Sequence, residues 1–310
     1  MRILMTGASS FTGAWFAEEL ARAGHDVVAI YRGRLSDYTG VRAERVRRLA
    51  SLVEQVENIS FGDPAFLDIA DARSFDLLLH HAATMENYRS WDFDTISASE
   101  KNTRNIRPLL RSMSERGLRK VVITGSVFEP FEGEGDAPGR AFNPYGLSKH
   151  ISFEIIRLEA ERLGLSLGKF VIPNPFGPLE EPRFTTYLAR EWKAGRVPTV
   201  ATPRYVRDNI HVSLLAKSYR AFCESLPDEA GVRRCAPSGY VASQGEFARR
   251  VAVELRERTG WRCQFAEANQ TDFSEPLVRT NTEPAAPVHH DWSEADSWTA
   301  CADFYRDLQI

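Results

Sequence analysis

Cysteine is scarce in this chain. The four among 310 residues stand at 223, 235, 263 and 301, with no CxxC pair. Spacing this wide suggests neither a zinc site nor a disulfide framework and fits a reducing compartment, so a cytoplasmic location is expected. A surplus of either charge is also lacking: 39 Lys and Arg face 42 Asp and Glu, for a net charge of -3. Nucleic-acid binders carry a basic, clustered surface, and that class of partner is set aside. No apolar run reaches the roughly 18 residues of a membrane span. The opening MRILMTG also lacks the longer apolar core of a signal peptide, so no membrane partner is expected. Repeats and low-complexity tracts are missing too.

What is present is an ordinary globular composition, 43% hydrophobic and 26% charged, with length for one large domain or two intimate ones. Arg2 to Met5 is a short apolar run ending at Thr6-Gly7, and Trp15 to Ala23 carries apolar residues at helical spacing closed by Gly24. His25 to Tyr31 reads as a buried strand. Such a βαβ unit predicts a Rossmann-type, doubly wound parallel sheet covered by helices. Further strands are predicted at Val56 to Phe61, Phe75 to His81, Lys120 to Thr124 and Leu165 to Ile172. Prolines at 173, 175, 178 and 182 then break the alternation. The expected division is a cofactor domain over 1–172, with a return segment near 205–230, and a smaller α/β substrate-binding portion over 173–310. Ser243 to Thr259 is predicted as a surface helix.

The stretch TGASSFTG resembles a glycine loop between strand and helix, where backbone N–H groups approach a pyrophosphate at a helix N-terminus. Candidate cofactor contacts are Gly7, Ser9, Ser10, Phe11, Thr12 and Gly13. Ser10 stands where a middle glycine is usual; its small side chain obstructs little, and its hydroxyl can donate to a phosphate oxygen. Chance glycine motifs make a plain strand-to-helix turn the competing reading. Where the second strand ends, enzymes using NAD commonly place an acid against the ribose. Here Tyr31 is followed by Arg32-Gly33-Arg34, and guanidinium groups suit a 2′-phosphate. NADP is therefore the expected cofactor, with NAD possible; two arginines solvating a loop is the alternative.

Mid-chain, Asn143-Pro-Tyr145-Gly-Leu-Ser-Lys149 opens a helical pattern that puts Tyr145 and Lys149 on one face. A nearby ammonium stabilises phenolate, letting the tyrosine exchange a proton with a carbonyl oxygen near neutral pH. Upstream, Val121 to Ser126 is a strand ending in hydroxyl residues at the edge where open α/β sheets bind ligands. Ser126 can bond the same oxygen. A Tyr and a Lys four apart are by themselves more often a solvated helix face; the order of the four motifs carries the reading.

With these motifs in place, the chain resembles the extended short-chain dehydrogenase/reductases, the NAD-dependent epimerase/dehydratase group that processes nucleotide sugars. Gly62-Asp63 resembles the family's adenine contact at Asp63. His80-His81-Ala82-Ala83 resembles its fourth-strand cofactor wall, which implies cofactor contacts at His81, Ala82 and Ala83 and a substrate contact at Thr84. Asn102 matches a family asparagine. Pro173-Asn174 and Arg207-Asp208-Asn-Ile-His211 resemble segments whose Asn and Arg hold the substrate diphosphate, and Arg279 is a further candidate contact. Taken alone, Asn174 reads as a turn residue, Arg207 as half of a surface ion pair, Arg279 as part of a loop and His211 as structural. The resemblance also implies a homodimer through helices near 97–114 and 144–163.

Three departures stand out: Ser10, the Val-Phe-Glu-Pro that follows Ser126, and TVATPR over 199–204 where a Gly-rich hairpin is usual. The expected activity is NADP(H)-dependent reduction of a keto group on a nucleotide-activated deoxysugar, with Tyr145 as proton donor, Lys149 holding the cofactor ribose and lowering the tyrosine pKa, and Ser126 orienting the oxygen; Tyr145 and Lys149 are thus expected cofactor contacts as well. The alternatives are a nucleotide-sugar 4-epimerase holding NAD tightly, a reductase of a non-sugar carbonyl, and a non-catalytic NADP sensor. A 4,6-dehydratase is disfavoured because Val127-Phe128, not an acidic pair, follows Ser126.

Overall fold

A computed structural model of the chain describes residues 1–137 and 139–308. Residues 138, 309 and 310 lie outside the described residues; the last two fall within the expected substrate-binding portion. The chain forms two compact units. The first comprises Met1–Glu132, Pro138–Ile172 and Ala216–Ala236; the second comprises Gly133–Ala137, Pro173–Leu215 and Pro237–Ile310.

Among the described residues, the first unit holds a seven-stranded sheet: β1 Arg2–Thr6, β2 Asp26–Ile30, β3 Glu54–Val56, β4 Leu77–His80, β5 Lys120–Ser126, β6 Ser166–Ile172 and β7 Gly231–Cys235. The order is β7-β6-β5-β4-β1-β2-β3, every pair parallel. This is the expected Rossmann-type architecture. Ile3, Leu4 and Met5 of β1 and Leu77 to Leu79 of β4 are fully buried, as strands covered on both faces require. One face packs Leu4, Leu78, Val121 and Leu167 against Phe66, Leu109 and Ile156. On the other, Phe16 stacks on Tyr219 with ring centroids 3.9 Å apart. Chain order reverses between β1 and β4, the point where such sheets open a crevice beyond their carboxyl ends.

Local chemistry sets the helices that bear site residues. Helix α1, Phe11–Arg22, is capped by Ser10, whose side chain accepts from Gly13 N. Helix α2 spans Gly40–Leu49 and α3 Pro64–Ala72. The predicted strand over 56–61 ends at Val56, because Asn58 turns to φ 65° and its N–H bonds Gly33 O across the loop. The helix expected over 97–114 is two pieces, α4 Thr95–Asn102 and α5 Ile106–Glu115. Asn105 breaks it at φ 52°, with its amide donating to Gly62 O. Helix α6, Pro144–Arg162, begins with Asn143 as N-cap and Pro144 at the first turn, a favoured start.

In the second unit, strand Val206–His211 pairs with Tyr240–Ser243, Val278–Thr280 and Asn174–Phe176. The helix predicted from Ser243 is α9, Gln244–Thr259, preceded by α7 Phe184–Lys193 and followed by α10 Glu294–Asp307; α8, Val212–Ser225, begins in this unit and belongs to the first from Ala216 onward. Ser243 and Glu246 cap α9 reciprocally, while Phe247, Val251 and Leu255 bury its inner face beside Trp192, Trp298 and Tyr305. No helix among the described residues is long and apolar enough to cross a membrane.

Candidate active site

The glycine loop is built for close approach. Gly7 has φ 82°, and a β-carbon there would stand 2.8 Å from Ala82 N; at Gly13 one would overlap Gly7 O. The first turn of α1 carries no acidic residue, so none of its own side chains neutralises the helix's positive end. A cradle of this shape and polarity fits a dinucleotide pyrophosphate. The Ser10 proton, expected to be available to phosphate, goes to Gly7 O at 2.8 Å, and Ser10 Oγ also accepts from Gly13 N at 3.1 Å. Thus the hydroxyl in place of the usual glycine ties the loop to its helix.

His81 extends that tie. Its Nε2 lies 3.0 Å from Ser10 Oγ and 3.2 Å from Thr12 Oγ1, and its Nδ1 is 2.8 Å from Thr124 Oγ1. With the Ser10 proton committed to Gly7, Nε2–H is the donor and Nδ1 accepts from Thr124. Burial pushes the His81 pKa down to about 3, so the imidazole is neutral. His80 is likewise held near 4, mainly by burial with Lys149 adding to the shift. Its Nε2–H donates to Asn102 O at 2.8 Å, and Nδ1 accepts from Thr6 Oγ1, which in turn accepts from Ala82 N–H. Asn102 Oδ1 then receives Thr84 N–H at 2.9 Å. Among the resemblance-derived residues, Ala82, Thr84 and Asn102 are therefore joined through Thr6 and His80 in one hydrogen-bonded chain beyond β4, while His81 is tied to Ser10, Thr12 and Thr124; Ala83 lies between Ala82 and Thr84.

Ser126 ends β5 beside Ile172 of β6. Its Oγ accepts Phe128 N–H at 3.2 Å, which leaves the hydroxyl proton for another acceptor. Helix α6 meets this turn at Gly146, where a β-carbon would overlap Phe128 O, while Phe142 N–H bonds the same carbonyl at 2.8 Å. Tyr145 is buried, with its ring edge-on to Tyr88 and Phe93. Asn143 Nδ2 donates to Tyr88 O and anchors that aromatic wall to the helix start. Lys149 is also buried. Desolvation is the main cause lowering its pKa to about 8, offset by the Glu129 carboxylate and reinforced by Lys169. Ser126, Tyr145, Lys149 and the glycine loop all belong to the first unit.

At the selector position the outcome is mixed. Tyr31 is buried, accepts Gln55 Nε2–H at 3.0 Å and has its phenol pushed up to about 12, so it is a neutral wall. Arg32 and Arg34 are exposed. A carboxylate is nevertheless present at this loop: Glu57, just after β3, accepts Leu35 N–H at 2.5 Å. Asp63 is ion-paired with Arg104 at 2.6 Å. Sequence reading also missed Arg45, a fully buried guanidinium on α2 that donates to Ser9 O at 3.1 Å. Its signal was the four-residue spacing of Val41, Arg45 and Leu49 on one helix face.

In the second unit, Arg207 and Arg279 are register partners on adjacent parallel strands and so project to the same side of the sheet. Arg207 pairs with Glu275 at 3.0 Å and lies 4.6 Å over the Tyr205 ring. Asn174 Nδ2 is buried without a hydrogen-bond partner among the described residues. His211 is buried, takes Ser213 N–H on Nδ1 and has its pKa pushed down to about 3 by burial, a structural arrangement. No cluster of His, Cys, Asp and Glu suited to a metal occurs among the described residues.

The NAD dependent epimerase/dehydratase family model matches residues 3–230. The chain belongs to this family. Among curated relatives, it is 28% identical to the UDP-glucose 4-epimerase of Mycolicibacterium smegmatis over 59% of this chain; the match spans 58% of that protein's length. Among solved structures, it resembles the UDP-glucose 4-epimerase of Thermotoga maritima with UDP-glucose, at TM-score 0.75 and 15% identity over 99% of both chains. The UDP-glucose 4-epimerase of Thermus thermophilus in complex with NAD gives a TM-score of 0.71 at 18% identity over the full length of both chains. These structural likenesses bear on the shared fold.

Proposed function

We propose that this member of the family catalyses reversible hydride exchange at a carbinol carbon of a nucleotide-activated sugar, with 4-epimerisation as its net reaction. The observation that carries the reading is the meeting of α6 and the Ser126 turn at Gly146, which supports a common role for Tyr145, Lys149 and Ser126. The curated epimerase relative supports the epimerising outcome over the reduction expected from sequence. NAD is the cofactor that reading implies, and the presence of Glu57 at the selector loop agrees with it. The glycine loop, His81 and Ala82 form the pyrophosphate side of its site, and Lys149 its nicotinamide-ribose side.

The bound cofactor supplies a reversible acceptor for the hydride. Tyr145 takes the proton of the sugar hydroxyl as the carbonyl forms and returns it as the carbonyl is reduced on its other face. Lys149, as ammonium, stabilises the phenolate that takes the proton in the first step and is regenerated in the second. The free proton of Ser126 Oγ bonds the same sugar oxygen. Val127 and Phe128 are apolar and offer no acid and base for water elimination. Arg207, Arg279 and Asn174 supply two cations and an unpaired amide suited to a diphosphate.

NADPH-dependent reduction is the second reading, and Arg32 and Arg34 beside a buried Tyr31 favour it. Both are tested by proton NMR of UDP-glucose, UDP-galactose and UDP-glucuronate incubated with enzyme and NAD, with parallel measurement of NADPH consumption on keto sugars. Epimer formation without net NADPH loss is expected. Stoichiometric NADPH oxidation without epimer would establish the reductase instead.

A further inference from the structure

Behind the Ser126 turn runs a line of alternating charges that the reaction described above does not use. Arg234 Nε on β7 is 2.6 Å from Glu132 Oε2; Glu132 Oε1 is 2.8 Å from Lys169 Nζ on β6; Lys169 Nζ is 2.6 Å from Glu129 Oε2. Glu129 Oε1 ends the line by accepting Ser126 N–H at 2.8 Å. Glu129, Glu132 and Lys169 are all buried. Lys169 also lies 4.2 Å over the ring of Phe153 on α6, the helix of Tyr145 and Lys149. Gly125 makes room for the pair, since a β-carbon there would stand 2.9 Å from Lys169 Cε and 3.0 Å from Glu129 Oε1.

Buried ion pairs of this kind are poor devices for stability, because desolvation cancels most of the attraction and apolar replacements often fold as well. Glu129 is no proton donor to substrate: one oxygen is bound to the Ser126 amide and the other faces Lys169. What the pair controls is its surroundings. We propose that the Glu129–Lys169 pair is the positioning device of this site, holding the Ser126 turn through its amide and setting the field in which Lys149 carries its charge. The proposal rests on the roles given to Ser126 and Lys149 above. The charged and titratable groups that bear on Lys149 are Glu129 and Lys169 from behind, the neutral imidazoles of His80 and His81 at the end of β4, and Tyr145 on its own helix. The anion favours the ammonium and the second cation opposes it, so neutralising each should move Lys149 in opposite directions.

The test reads Lys149 itself and needs no substrate. The chain has six lysines, so NMR titration of protein carrying 13C-labelled lysine, with Lys149→Met for assignment, resolves its midpoint. Glu129→Gln should lower that midpoint by about half a pH unit or more, and Lys169→Met should raise it. An unmoved midpoint in both folded variants overturns the proposal. If a single variant does not fold, the neutral double variant Glu129→Gln/Lys169→Met is measured. Its midpoint should still fall, because the carboxylate has the larger influence, and no fall overturns the field-setting role. Glu129→Ala also removes the acceptor of Ser126 N–H and should lower kcat roughly tenfold below Glu129→Gln, with KM moved less than about twofold. Equal kcat in the two variants overturns the holding of the turn. An inactive wild type would defeat the assigned reaction while leaving the titration result intact.

Discussion

Gly146 and Phe128 are in backbone contact: the second turn residue after Pro144 lies so near the Phe128 carbonyl that a β-carbon at Gly146 would overlap its oxygen. Two effects of Gly146→Ala oppose each other. Helix propensity favours alanine by about 1 kcal/mol, whereas forcing a methyl group against fixed backbone costs about 1–3 kcal/mol or more. The contact should win. Chemical denaturation should show a destabilised Gly146→Ala protein, and activity should fall further than stability because Tyr145 is driven away from Ser126. A stabilised variant would mean that the helix start tolerates displacement.

Lys149 provides a case in which function opposes stability. Its pKa is lowered from 10.5 in the unfolded chain to about 8 in the fold, mainly by burial. Between about pH 8 and 10.5 the unfolded chain therefore binds more protons, and stability is lost as pH falls through that interval, then stays level. At neutral pH the accumulated cost is up to about 3 kcal/mol. Lys149→Met should raise the melting temperature of the protein without cofactor while abolishing turnover. Calorimetry at pH 7 and pH 10 should show the gain shrinking at the higher pH.

The buried histidines make the opposite end of the pH range informative. The folded His81 pKa, about 3, lies below the unfolded value of 6.5. Stability from keeping it neutral is complete above pH 6.5 and lost as pH falls toward 3. Between pH 7 and pH 5 this amounts to about 2 kcal/mol. Urea midpoints should fall over that interval in wild type and fall less in His81→Leu. The same variant loses the contacts to Ser10, Thr12 and Thr124, so its NAD dissociation constant should rise roughly tenfold.

The first unit was far more legible in sequence than the details of the site. Continuous apolar strands, the glycine loop and the Tyr145–Lys149 spacing follow from local patterns, and the parallel sheet with its crevice follows from their alternation. Three features were hidden because they depend on residues distant in the chain. Ser10 was read as a phosphate donor, yet its proton is taken by Gly7 O and its neighbour is His81, 71 positions away. Glu57 reaches Leu35 N–H only once β2 and β3 pair. Glu129 was visible only as a departure from a family pattern; its meaning came from Lys169 on a neighbouring strand. Asn105 shows a limit of the resemblance, since the single helix it implies near 97–114 is broken by a left-handed residue bonded to Gly62.

Arg207 and Arg279 yield a prediction about ligand charge. Side by side on parallel strands, they present two guanidinium groups to the same side of the sheet, and Arg207 is now balanced by Glu275. If this pair takes a diphosphate, Arg207→Ala and Arg279→Ala should each weaken UDP binding by roughly tenfold or more, as expected for loss of a charge-assisted bond. Calorimetric titration of UDP against uridine separates charge from base recognition: uridine affinity should hardly change. Equal losses for both ligands would place the arginines in structural support.

Cofactor choice turns on the loop after β2, where opposite charges now stand close together. Arg32 and Arg34 attract a 2′-phosphate, whereas Glu57, held to Leu35 N–H, adds negative charge to the same loop. Repulsion acts at longer range than a guanidinium fork but without its directed hydrogen bonds, so the balance depends on whether either arginine reaches the phosphate. On the epimerase reading NAD should bind more tightly than NADP, and Glu57→Gln should improve NADP binding several-fold while leaving NAD nearly unchanged. Arg32→Ala and Arg34→Ala should weaken NADP alone. Fluorescence titration of NADH and NADPH measures all four proteins directly. A wild type that prefers NADPH and loses the preference in Arg32→Ala would restore the reductase reading, because an enzyme that must regenerate its cofactor each cycle has no use for the cell's reduced pool.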